Sequence, residues 1–173
     1  MAPGGKRPED LIQEATDDLN ALVIFGETAE RLSLLGSAHK RRAWIVQGDE
    51  RRKSLSEMEE SYRKAHKKKY DKVSRKMDTY PLLNWLAAEV LRDCYGDKPK
   101  VTAASIRELC EEGRAYAQEK ERQDPSFWNS VVVPDCDPVE ALAGGALGER
   151  KQAIVDAYRR AKSAAQAPGN SAL

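Results

Sequence analysis

Apolar residues recur at intervals of three and four along nearly the whole chain, while runs of strict alternation rich in Val, Ile and Thr are almost absent. That pattern predicts helices. The first spans Pro8 to about Phe25 and carries Leu11, Ala15, Leu19, Leu22 and Val23, with Gly26 as its stop. Thr28 can cap a second, with Leu32, Leu35, His39, Ala43 and Val46 on one face and Gly48 ending it. The charged run Asp49 to Lys53 reads as a loop. A third helix starts at Ser54, where Glu57 has capping-box spacing, and runs to about Met77, with Tyr80-Pro81 as the break.

The fourth helix, Leu82 to Tyr95, is the most apolar and so the most central. After a turn at 96–100, Val101 or Thr102 opens a fifth, which ends in the charged run Gln118 to Asp124. Between Asp124 and Gly148, three prolines and the pair Gly144-Gly145 predict two short helices rather than one long one. Val131 to Val133 has strand composition, but a lone strand has no partner in this sequence. A last helix covers Glu149 to about Ala165, with Ile154, Tyr158 and Ala161 as its stripe. The expectation is thus an all-α stack of about seven helices over 8–165, with flexible Gly-, Pro- and Ala-rich tails at 1–7 and 166–173.

Two distant helices share a local pattern: Met58, Tyr62 and Ala65 in one, Ile154, Tyr158 and Ala161 in the other. Intervals of four and three place each trio on one helical face, and a ring beside a methyl lets a neighbouring helix approach closely. Leu32, Leu35, Gly36 and His39 resemble the first helix of a tetratricopeptide repeat, with His39 where Tyr is usual, and Leu83, Leu86, Ala87 and Val90 repeat the spacing without the aromatic. The distance from Gly36 to Tyr62 departs from the usual repeat of about 34 residues, so these repeats are degenerate.

The segment Glu30 to Lys40, the helix Ser61 to Ala65 and the segment Tyr80 to Leu86 resemble the tetratricopeptide-like "TRAFs-binding" region of bacterial signalling and conflict-system proteins, where it accompanies CHAT or caspase-like effectors. The resemblance covers roughly residues 8 to 165. It implies a solenoid of stacked antiparallel helical pairs and a scaffold or adaptor role beside an effector encoded elsewhere. It also implies a partner groove lined by the first helix of each pair, which places Ser33, Ser37, Lys40 and Asn84 in it.

Hydrophobic residues make up 40% and charged residues 33%, with a formal net charge of +1, which suits amphipathic helices with solvated outer faces. The absence of an apolar run of roughly 18 residues and of a leader-like start predicts a cytoplasmic protein that does not enter a membrane. The three cysteines, Cys94, Cys110 and Cys136, have no C-x-x-C spacing, in keeping with a reducing compartment.

Catalytic chemistry finds little support. Of two histidines, His39 falls on the inner face of its helix and His66 sits among lysines, where solvation is the expectation. Cys136 lies between aspartates, which raise a thiol pKa and weaken it as a nucleophile. No His, Cys or acidic spacing suits a metal, and Gly144 to Gly148 lacks the Lys-Ser/Thr of a phosphate loop, so neither enzyme activity nor a cofactor is expected. Trp44, Trp85 and Trp128 each sit beside helical apolar residues, which favours core packing.

Charge supplies the competing reading. Residues 40–76 hold fourteen Lys or Arg against six Asp or Glu. Lys64, Lys67, Lys68, Lys72, Arg75 and Lys76 would fall on overlapping faces of one long helix and could meet nucleic acid, an anionic ligand or an acidic protein. The main expectation is a non-catalytic protein-interaction module for a protein or peptide partner, with nucleic-acid or anionic-ligand binding through this basic helix as the alternative.

Overall fold

The computed structural model describes residues 5–74 and 76–165; Arg75 and the expected C-terminal tail lie outside the described residues. Among the described residues seven α-helices follow one another: α1 (Pro8–Ile24), α2 (Ala29–Ile45), α3 (Gly48–Lys69), α4 (Thr79–Cys94), α5 (Ala103–Gln123), α6 (Phe127–Ala143) and α7 (Leu147–Ala165). Each packs on the next through a short connection, and α4 also packs on α6. The result is an all-α stack of helical hairpins.

Short polar side chains set several starts. Thr28, Thr102 and Ser126 each accept a hydrogen bond from the backbone N–H three residues on, and Asp78 accepts from Tyr80 N–H. The core runs through the middle of the stack, from Leu55, Met58 and Tyr62 on α3 through Leu82, Leu86 and Val90 on α4 to Ile106 and Cys110 on α5 and Val132, Cys136 and Val139 on α6. α4 is its centre, as its composition predicts.

Three boundaries differ from expectation. Asp49 to Lys53 is helical, because Gly48 turns the chain at φ +57° directly into α3 and Asp49 and Glu50 sit in its positive first turn. Ser54 is therefore no cap: it is buried inside α3, where its hydroxyl donates to Glu50 O at 2.8 Å. At the other end α3 stops at Lys69 rather than near Met77. The Asp71 carboxylate gathers Val73 N–H at 2.9 Å and the Ser74 hydroxyl at 2.6 Å into a tight turn, and an Asp71–Lys76 bridge closes it. Tyr80-Pro81 lies in the first turn of α4, where a proline displaces no helical hydrogen bond.

The largest departure is α6, one helix in place of two. Pro134 and Pro138 sit inside it, each costing about 3 kcal/mol relative to a good helix former. Packing against α4, α5 and α7 outweighs that penalty. Arg114 of α5 adds a clamp, donating to Glu140 at 2.6 and 3.0 Å and to Asp137 at 2.8 Å, while Arg150 of α7 reaches Asp137 at 3.4 Å. Val131 to Val133 belongs to this helix.

Candidate functional site: a groove across the inner helices

The close approach of α2 and α3 sets the position of the groove. Gly36 leaves its side-chain space to the ring of Tyr62, and Met58, Tyr62 and Ala65 are all buried against α2. At the groove edge the Tyr62 hydroxyl meets Ser37 Oγ at 2.8 Å, and Ser37 meets the Tyr80 hydroxyl at 2.9 Å, so three hydroxyls join α2, α3 and the start of α4. Burial raises the Tyr62 pKa. Tyr80, where burial acts in the same direction, is nonetheless lowered by hydrogen bonds with Ser37 and Tyr62 and by the charges of Lys40 and Arg41.

Two clefts open on this side. The larger, about 780 Å³, lies between α4 and α6 over Leu83, Ala87, Val132, Val139 and Leu142. The smaller, about 390 Å³, lies between α2, the first turns of α3 and α4 over Ala43, Leu55 and Met58. Lys40, Ala87 and Leu91 line both, so the clefts form one groove across α2, α4 and α6. Its floor is apolar and its polar groups are few, the usual make-up of a binding pocket.

Of the residues the sequence places in a groove, Lys40 and Asn84 line it and meet directly, Lys40 Nζ donating to Asn84 Oδ1 at 2.9 Å. Ser37 is committed to the tyrosine hydroxyls at the edge, and Ser33 is half-buried on α2 without lining either cleft. Sequence reasoning missed the α6 wall. Trp128, Val131, Asp135, Pro138 and Leu142 are spaced at three and four residues, a helical signal hidden by reading the prolines as breaks.

The tryptophans divide between core and groove. Trp85 is buried, 9% exposed, as expected, whereas Trp44 and Trp128 are 71% and 73% exposed and flank the groove at α2 and α6. The expected core packing of those two fails because their helical neighbours face inward while they face out. Lys40 Nζ lies 5.9 Å from the Trp44 ring centroid. On the opposite wall the Tyr158 hydroxyl donates to Asp135, and burial raises the Asp135 pKa against the pull of Tyr158 and Lys40.

The basic residues are not gathered on one helix. Lys64, Lys67 and Lys68 lie on α3, Lys72 and Lys76 lie in the turn beyond it, and Arg75 is outside the described residues. Lys64 and Lys68 also face Glu27, at 3.7 and 3.5 Å. His66 is buried rather than solvated, its ring 5.6 Å from Trp85 and 5.3 Å from Tyr70, because it points away from the lysines around it in sequence. His39 is buried too; Glu57 Oε2 lies 3.2 Å from its Nδ1 but out of hydrogen-bonding direction. Burial lowers the pKa of both histidines. Cys136 is fully buried, and its thiol donates to Cys110 O at 3.6 Å, which together with burial raises its pKa and disfavours the thiolate.

A family model described as Tetratricopeptide Repeats-Sensor matches residues 4–89, which takes in α1, α2, α3 and most of α4. That half of the molecule is a tetratricopeptide-type repeat region, and the seven helices form an all-α, tetratricopeptide-like helical repeat fold. No curated protein and no solved structure matches the sequence. No helix among the described residues is long and apolar enough to cross a membrane.

Proposed function

We propose that the chain is a non-catalytic adaptor whose groove across α2, α4 and α6 holds a peptide segment of a partner protein. Tetratricopeptide-type repeats suggest a protein-interaction module. The observation that carries the reading is the continuity of the groove: one apolar floor crosses three helices, with exposed Trp44 and Trp128 beside it. Exposed tryptophans beside an apolar cleft are typical anchors of an interface. α2, α4 and α6 each open a helical pair, the position from which stacked repeats present a concave binding surface.

In this reading the module reports or recruits a partner beside an effector carried elsewhere, a signalling or defence role in keeping with the word "Sensor" in the family description. The test is selection from a random displayed-peptide library on the wild type and on Ala87→Gln, which fills the point shared by both clefts. The reading expects apolar-rich peptides retained by the wild type and lost by the variant at unchanged circular dichroism. Peptides that bind both equally would overturn it.

A further inference from the structure

The described residues make ion pairs freely, even on exposed surfaces: Lys64 and Lys68 with Glu27, Arg122 with Glu119, and Arg114 and Arg150 with Asp137 and Glu140. Among these residues, no ion pair involves Lys40, Arg51, Asp78 or Asp135, and all four line the groove.

Their signs are segregated. Among the described residues the cleft beside α2 and α3 contains Lys40 and Arg51 and no carboxylate, whereas the cleft between α4 and α6 contains Asp78 and Asp135, with Lys40 at the boundary. Arg51 is fixed in place, its Nε donating to Val46 O at 2.9 Å and its Nη1 to the Tyr95 hydroxyl at 3.0 Å. Asp78 accepts from Tyr80 N–H at 3.1 Å and Asp135 from the Tyr158 hydroxyl, so each carboxylate is held by a neutral donor and has acceptor capacity left, and Asp135 is the one on the α6 wall of the groove. Unpaired charges of opposite sign at the two ends of an apolar floor are a means of setting orientation and register more than raw affinity.

We infer that the groove binds its peptide in one polarity: an apolar segment with an acidic group over Arg51 and Lys40 and a basic side chain toward Asp135. This rests on the groove being the peptide site. An acidic side chain and a free C-terminal carboxylate present the same chemistry to Arg51, and a comparison of free-acid and amidated peptides separates them.

The probe is the same random displayed-peptide library, panned on the wild type, Arg51→Glu and Asp135→Lys, with Arg51→Gln and Asp135→Asn as milder variants should either reversal unfold. The wild type is expected to enrich apolar peptides with an acid on one side and a base on the other. Synthesised, these should bind Arg51→Glu about tenfold or more weakly. Arg51→Glu should instead enrich peptides whose acid is replaced by a base, and Asp135→Lys peptides whose base is replaced by an acid. Apolar peptides without charge order, unaffected by either reversal, would overturn the polarity while leaving the groove as the site. No groove-dependent peptide at all would overturn both.

Discussion

A Cβ atom placed on Gly36 would stand 2.8 Å from Cδ2 of Tyr62, with Cε2 at 2.9 Å and Cγ at 3.0 Å. Tyr62 has no exposed surface and its hydroxyl is tied to Ser37, so the ring has nowhere to retreat. The hairpin of α2 and α3 closes on this contact.

Gly36→Ala should therefore destabilise the fold although alanine is the better helix former by about 1 kcal/mol. Overpacking a tight contact costs about 1–3 kcal/mol, and here it wins because the clash is with the body of a ring rather than a mobile tip. The expected result is a melting temperature lower by several degrees, at about 2–4 °C per kcal/mol for a chain of this size. A variant as stable as the wild type would show that α2 and α3 are not this close.

Glu59 is a second fixed point, fully buried on α3 with Arg63 3.2 Å from its Oε1 and with Arg92, at 3.4 Å, and Lys100 sharing its Oε2. Glu59→Leu leaves Arg92, 12% exposed, with Asp97 as its remaining carboxylate. Removing one partner of a buried ion pair costs about 3–5 kcal/mol, and the lower end is expected because Lys100 can return to water. Chemical denaturation should show the loss as a fall in midpoint. A neutral result would mean that the cluster is solvated.

Burial depresses the pKa of His39 and His66, so the folded protein keeps them neutral at pH values where the unfolded chain takes up protons. The stability this provides is complete above about 6.5, the ordinary histidine value. It is lost as pH falls from there toward the depressed folded-state values. Melting temperature should drop between pH 7.5 and 5.5, and His66→Phe, which keeps a ring beside Trp85, should drop less. Equal slopes in the two proteins would contradict the burial of His66.

Legibility in the sequence followed how local each signal was. Thr28 as a cap, and Leu32, Leu35 and Gly36 facing Met58, Tyr62 and Ala65, are read within a few residues of chain, and the structure has them. Pro134 and Pro138 argue locally for a break, and only contacts with α4, α5 and α7 keep α6 whole. Half the groove was hidden with it. Lys40 and Asn84 were legible because they follow the repeat pattern on α2 and α4, whereas Asp135 and Trp128 required α6 to be one helix. Trp44 and His66 exchanged their expected places because composition gives a residue's neighbours in sequence and not the side of the helix it faces.

The most direct test of the groove uses the three indole N–H resonances in a proton–nitrogen correlation spectrum of the labelled protein. A peptide selected on the wild type is titrated in while the three signals are followed. The Trp44 and Trp128 resonances are expected to shift together with saturation while that of Trp85, buried against His66, stays in place. Saturable binding that moves neither Trp44 nor Trp128 would place the peptide elsewhere and rule out the groove as its site.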